Sequence, residues 1–359
     1  MTIKVDKIRS FVYSVFKELG LSNDYAKKSM EVILQAELTG VLTHGLAKLP
    51  FYVMRYRNNG ENNNPDYKII NDHKSNILLD ADNGSGLIIG PIALEMCIDR
   101  TKKNGVSTIV IKNSGHFGCG NYYSWKFAEE NLIGIVMTNT SPLMAPYGGK
   151  KREIGTNPIT ISIPAKNHDP IILDMATSIA AYGKIQVAAT EKKNIPFGWA
   201  KDREGLPTDD PFKALEGTIE PLGSYKGYGL AVIVDALTSL LANSEFGDKI
   251  TSIDGLNIES RECVSHFMLG IDPSTFYNIN DFLDYVDFYI EYMKNSPKAK
   301  GVEEIFLPGE IEFRKFRANN INGLSINKDQ SDKLMRMIDE LDLNPNGYSN
   351  FEEFINNSY

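Results

Sequence analysis

Apolar residues recur at helical spacing from the start of the chain: Val5, Ile8, Val12, Val15, Phe16 and Leu19 form one stripe that stops at Gly20, a residue suited to a helix C-cap. Ser22, Asn23 and Asp24 then offer N-caps to a second amphipathic helix through Tyr25, Met30, Ile33, Leu34 and Leu38, which meets Gly40. Pro50 cannot lie deep inside a helix, so either a helix carrying His44 ends near it or a new helix begins there. The polar, Asn-rich run 58–66 reads as a loop that closes a helical module.

From Tyr67 the pattern changes to short β-type runs alternating with helical stripes. Strands are expected at 75–80, 106–112, 133–138 and 171–173, and helices over 87–103 and from Gly223 through Leu241, with 207–211 as a connecting loop. This is α/β patterning. The division it suggests is a helical N-terminal module over 1–75, joined by C-terminal helices within 311–359, and an α/β domain over 76–310. The run Gly84-Ser85-Gly86-Leu87-Ile88-Ile89-Gly90 invites a dinucleotide fingerprint, but its third glycine comes one residue late and no acidic residue closes a second strand at the required distance. It reads as a helix entry, and the cofactor domain as non-Rossmann.

Composition narrows the class. The chain has 359 residues, 42% apolar and 23% charged, enough for two domains with real cores. A net charge of -8 with no basic block argues against a nucleic-acid partner. Cys97, Cys119 and Cys263 are too few for a disulfide framework or a four-cysteine zinc site, which points to reducing cytosol. Charged residues break up the N-terminal apolar positions, unlike a signal peptide, and no run approaches membrane-spanning length.

Candidate chemistry begins at Thr43-His44-Gly45-Leu46-Ala47-Lys48-Leu49-Pro50-Phe51-Tyr52. On a helix, His44, Lys48 and Tyr52 would share one face, offering a proton carrier, a carboxylate anchor and a phenol to close the site. The alternative is a solvated polar face. A glycine-rich turn, 115–123, carries His116 with Tyr122 and Tyr123 as flat surface for a ring. Three loops at strand ends, 139–142, 155–158 and 174–178, gather small hydrogen-bonding groups where α/β sites commonly lie. Lys226, among glycines at a helix entry, suits a phosphate, with a Gly-rich connection carrying a solvated lysine as the alternative.

In combination, Thr-His-Gly at 43, Gly-His-Phe-Gly at 115, Thr-Asn-Thr-Ser-Pro at 138 with Ala-Pro-Tyr-Gly-Gly at 145, Gly-Thr-Asn-Pro at 155, Asp-Met-Ala-Thr-Ser at 174 and Lys-Gly-Tyr-Gly-Leu at 226 resemble the malate/L-lactate dehydrogenase family that is distinct from the Rossmann-fold lactate dehydrogenases. The resemblance runs from the first helix to Phe246 and returns at Pro308-Gly309-Glu310. It implies interconversion of a 2-hydroxy acid and a 2-oxo acid with NAD or NADP, on an α/β fold packed against a helical module, in a homodimer. By position it implies His44 or His116 as the proton donor and acceptor, and Thr140 in contact with substrate beside Lys48 and Tyr52. It also implies Asp174, Met175, Ala176, Lys226, Gly227, Pro308, Gly309 and Glu310 around the cofactor, with no metal. Hydride addition to a 2-oxo acid builds charge on the carbonyl oxygen, so a histidine beside a cation is chemically apt.

Departures bear on substrate. Thr43 and Lys48 stand where the family commonly has Ser and Arg, and a lysine keeps the charge without the bidentate grip. Cys263 stands where an Asn is common. His266 reads as structural, and His73 and His168 as surface residues. Alternatives are a reductase of a cyclic imino acid or of ureidoglycolate- or diketogulonate-like acids, a hydrolase, which the missing G-x-S-x-G elbow disfavours, and a non-catalytic nucleotide binder. The pattern 342–353 matches a calcium loop, with an ordinary helix-turn-helix as the favoured reading.

Overall fold

A computed structural model describes residues 2–251 and 259–340. The first two stripes become the helices Val5–Glu18 and Asn23–Thr39. Ser22 caps the second by accepting the Tyr25 N–H, and Gly40 ends it at φ 77°, a left-handed conformation that favours glycine. The next segment is not one α-helix. Residues 42–45 form a turn, Leu46–Lys48 is a single 3-10 turn, and the helix Leu49–Arg57 begins with Pro50 in its first turn, where a missing N–H costs nothing.

The central sheet has seven strands in the order Lys68–His73, Asn76–Asp80, Val106–Ser114, Val264–Ile271, Ile133–Thr138, Ile159–Ile163, Ile171–Met175. Only Asn76–Asp80 and Val106–Ser114 run parallel; every other neighbouring pair is antiparallel, which separates this sheet from the parallel Rossmann arrangement. The edge strand Lys68–His73 starts before residue 76, and because all six of its residues are exposed it carries no alternation to reveal it. Ser85 caps the helix Gly86–Asn104, as expected for a helix entry, and a Cβ on Gly86 would lie 2.4 Å from the Gly115 carbonyl. That glycine brings the helix against the turn that carries His116.

A second sheet of five strands, each two or three residues long, gathers Pro142–Met144, Ile154–Gly155, Ala200–Lys201, Pro207–Thr208 and Thr218–Ile219. Met144, Ile154, Ile185, Ile219 and Ala231 form its own core, to which the helices Tyr182–Thr190 and Tyr225–Asp235 contribute. The stretch expected as a plain loop, 207–211, thus supplies a short strand and, at Pro211, the start of the helix Pro211–Glu216.

Near the C-terminus, Glu310–Asn322 packs on Asn23–Thr39, Lys328–Glu340 packs on Leu49–Arg57, and Leu324–Ser325 pairs with Thr2–Ile3. One core runs through Phe11, Ile33, Tyr52, Leu87, Ile109, Tyr123 and Leu334, joining both chain ends to the central sheet. The calcium-like pattern 342–353 lies outside the described residues. Among the described residues no helix is long and apolar enough to cross a membrane.

Candidate active site

Loops from the helical part, both sheets and the C-terminal helices meet around a cavity of about 1250 Å³. Small-molecule sites usually hold ~300–1000 Å³, so this one has room for a dinucleotide and a small acid together. His44, Lys48, His116, Thr140, Asp174, Met175, Ala176, Pro308 and Gly309 all line it. The three loops converge here because, in this antiparallel arrangement, Ile133–Thr138 and Ile171–Met175 end on the side where Ile159–Ile163 begins. Thr140 is fixed there: its N–H donates to Asn157 Oδ1 at 3.0 Å, and its hydroxyl accepts the Thr156 N–H at 3.0 Å.

Four expected site residues are not on the cavity wall. Tyr52 is fully buried behind His116, and Lys226 is exposed in the first turn of Tyr225–Asp235. Gly227 is buried where a Cβ would come within 2.5 Å of Leu222 and the Thr177 carbonyl, a packing that leaves no room for a side chain. Glu310 accepts two hydrogen bonds from Lys294 Nζ, at 2.6 and 2.8 Å, and a third from Arg314. Tyr122 and Tyr123 are also buried, packed in the core instead of offering a face to a ligand.

The two histidine rings stack with centroids 5.5 Å apart. His116 Nδ1 receives the Gly118 N–H at 3.3 Å and lies 2.6 Å from the Tyr52 hydroxyl. A backbone N–H can only donate, so Nδ1 is the acceptor nitrogen, Tyr52 donates to it, and Nε2 carries the ring proton. His44 Nδ1 sits 2.9 Å from the Thr43 hydroxyl, a contact that leaves its tautomer open. Burial, with Lys48 beside it, brings His44 down to about 4. Burial, then Lys48, His44 and His266, hold His116 well below its ordinary value. Both imidazoles are therefore neutral at neutral pH. His266 is fully buried, contacts Thr138 Oγ1 at 2.8 Å and stacks on Phe117, in keeping with a structural role, while His73 and His168 are exposed.

Sequence reasoning missed several wall residues. Glu262 is 3% exposed, reaches the cavity and accepts the His116 N–H at 2.8 Å. Beside it lies a buried ion pair, Arg55 Nε to Glu61 Oε1 at 3.7 Å, whose guanidinium also donates to the Ser260 and Gly60 carbonyls. Trp125 lines the cavity and packs on Phe313 at 3.9 Å; being one of two tryptophans was its only signal. Ala181, Tyr182 and Gly183 bring the start of the helix Tyr182–Thr190 to the wall.

These residues fit the dinucleotide that the sequence resemblance implies. The helix start at Ala181 has no side-chain cap, and a Cβ on Gly183 would meet nothing within 4 Å, so backbone N–H groups face open cavity where a phosphate is favoured. Asp174 is held by the Asn121 N–H at 3.0 Å and Thr160 Oγ1 at 2.8 Å, and with Met175, Ala176, Pro308 and Gly309 it forms the adjoining wall.

A family model described as malate/L-lactate dehydrogenase matches residues 3–335. The chain is 37% identical to L-sulfolactate dehydrogenase of Methanocaldococcus jannaschii over 97% of its own length and 99% of that protein's. The solved structure of the sulfolactate dehydrogenase from that organism superposes with a TM-score of 0.89 over 97% of this chain and 99% of that one. The chain is also 30% identical to the (2R)-3-sulfolactate dehydrogenase (NADP(+)) of Chromohalobacter salexigens, covering 86% of this chain and 89% of that protein. The ureidoglycolate dehydrogenase (NAD(+)) of Escherichia coli K12 is 27% identical over 91% of this chain and 93% of that protein.

Proposed function

This chain belongs to the malate/L-lactate dehydrogenase family, and from that premise we propose that it interconverts a small 2-hydroxy acid of the malate or sulfolactate type and its 2-oxo acid, with His44 transferring the proton. The enzyme is a hydroxy-acid dehydrogenase that uses NAD or NADP. The cofactor, when bound, supplies or accepts the hydride.

The observation that carries the assignment of roles is the lock on His116. With Nδ1 occupied by Tyr52 and Gly118, neutral His116 presents an Nε2–H donor, suited to polarising the substrate carbonyl and holding the oxygen as charge builds on it. Losing that proton would leave an imidazolate, which is unfavourable. His44 carries no such lock. Neutral, it accepts the hydroxyl proton during oxidation; in reduction, an anionic substrate offsets the field of Lys48, raises the His44 basicity and lets it arrive protonated. Lys48, on the same wall, anchors the carboxylate as a point charge.

The test is oxidation of NADH and NADPH, followed by absorbance, with oxaloacetate, sulfopyruvate, pyruvate, glyoxylate derivatives and cyclic imino acids. Turnover of a four-carbon or sulfonated 2-oxo acid above the others supports the reading. Preference for the cyclic imino acid or a ureido compound would replace the substrate class, and tight cofactor binding without turnover would make the protein a nucleotide binder.

We further propose a homodimer. Leu230, Ile233, Leu240 and Leu241, along the helix Tyr225–Asp235 and its continuation, are 41%, 53%, 58% and 57% exposed. An apolar helix face of this kind marks an interaction surface, and a second copy of the chain presents the complementary patch by symmetry.

A further inference from the structure

Among the described residues the cavity wall carries two lysine or arginine side chains, and they come from opposite ends of the chain: Lys48, from the 3-10 turn Leu46–Lys48, and Lys333, from the helix Lys328–Glu340. The two elements pack on one another and are fastened by a buried acid. Glu37, 1% exposed, accepts the Leu46 N–H on Oε2 at 2.9 Å and the side-chain N–H of Gln330 on Oε1 at 3.0 Å. Gly45 makes room for it, since a Cβ there would lie 2.2 Å from Glu37 Oε2. One carboxyl thus ties the start of the turn that presents Lys48 to the first turn of the helix that presents Lys333. Lys333 follows Gln330 by three residues, so the two share one side of that helix. Its Nζ donates to Asp329 Oδ2 at 2.8 Å, and both residues of this pair line the cavity, with side chains 49% and 71% exposed.

We propose that Lys333 receives a second negative group of the substrate, so that the site favours 2-oxo acids that are dianions, a dicarboxylate or a sulfonated carboxylate, over monoanions. The inference rests on the reading of this cavity as a hydroxy-acid site in which Lys48 takes the carboxylate beside the reacting carbon. A dianion held at Lys48 alone brings its distal charge against a wall that also carries the acidic Glu312 and Asp329, and a second ammonium offsets that charge. An ammonium has three donors, so Lys333 can hold a distal anion while one donor stays on Asp329. Asp329 then opposes the dianion at close range, while a monoanion such as pyruvate engages Lys48 and makes no use of either residue.

The experiment compares oxaloacetate and sulfopyruvate with two monoanionic controls, turnover of pyruvate and inhibition by oxamate, in the wild type, Lys333→Gln, Lys333→Glu and Asp329→Asn at saturating cofactor. NADH and NADPH affinities are measured by fluorescence titration in each protein. Lys333→Gln should raise KM for the dianions about fivefold, the upper range for a half-exposed ion pair, with kcat and the constants for both controls unchanged. Lys333→Glu should raise it further, and Asp329→Asn should lower it. A gain in Asp329→Asn cannot come from a damaged fold, so it carries the test even where a Lys333 variant is unstable. Equal changes for monoanions and dianions, or no change for either, overturn the proposal and leave the dehydrogenase reading intact. A loss confined to NADPH binding does the same, because it gives Lys333 to a phosphate of the cofactor. A wild type that turns over none of the 2-oxo acids and binds no oxamate overturns the reading of the site and this proposal with it.

Discussion

His44 and His116 are the same residue type in one cavity, stacked face to face, yet the chemistry open to each differs because only one has its Nδ1 fixed. Replacing His44 with Ala is expected to leave cofactor affinity nearly unchanged and to lower turnover by roughly a hundredfold or more, the scale of a lost general acid. Near-normal turnover in that variant would move proton transfer to His116. Tyr52 acts through His116: its ring is fully buried and its hydroxyl makes the 2.6 Å contact. Tyr52→Phe keeps the ring and removes one hydrogen bond worth about 1 kcal/mol, so kcat should fall about fivefold with KM unchanged. Steady-state kinetics in which KM moves and kcat does not would instead place Tyr52 in contact with substrate. At this scale the sequence was informative wherever a residue type announces its chemistry, as His44, Lys48 and His116 do. Glu262 was silent because a glutamate in a chain with 46 acidic residues carries no mark of burial.

Among the elements, we propose that the helix Tyr182–Thr190 takes the phosphate that glycines and a lysine had suggested for the helix at Lys226. Its uncapped start lines the cavity, while Lys226 points from an exposed turn outside the wall. Gly183→Glu is the discriminating change. Its side chain enters open space, and an acid in the first turn suits the helix dipole, so melting temperature should hold or rise slightly. A negative charge in the place of a phosphate should nonetheless weaken NADH or NADPH binding by about tenfold or more, or ~1.4 kcal/mol. Fluorescence titration giving equal affinity in variant and wild type would move the phosphates elsewhere, and a large loss in Lys226→Ala would return them to that helix entry. The helices Val5–Glu18, Asn23–Thr39 and Gly86–Asn104 were legible from their stripes, with Ser22 as a cap, whereas Gly120–Glu129, inside a stretch read as a glycine-rich turn, and Tyr182–Thr190 were not. The order of the central sheet was not, because Val264–Ile271 comes late in the chain and inserts between Val106–Ser114 and Ile133–Thr138, a pairing that no local pattern encodes. Nor was the smaller sheet, whose strands are two or three residues long and too short for any period to register.

For the molecule as a whole, the exposed apolar stripe and the cavity are mechanically connected. Gly227 lets Tyr225–Asp235 press on Thr177, the Leu222 N–H donates to the Thr177 carbonyl at 2.8 Å, and the next residue, Ser178, lines the cavity. From the same helix the Ala231 carbonyl accepts Asn157 Nδ2 at 3.0 Å, and Asn157 in turn holds Thr140. A second copy seated on Leu230, Ile233 and Leu240 would therefore brace one cavity edge in each protomer. Leu240→Asp tests this, because a symmetric interface places the two new charges close to one another and two unpaired carboxylates in an apolar contact are strongly disfavoured. Leu240 is 58% exposed in the single chain, so the change should leave the fold of the protomer intact. Sedimentation velocity at micromolar concentration should then show a dimer for the wild type and a monomer for the variant, with cofactor affinity and turnover falling together in the monomer. A wild-type protein that sediments as a monomer at every concentration would remove the dimer. A monomeric variant with undiminished turnover would keep the dimer but sever it from the active site.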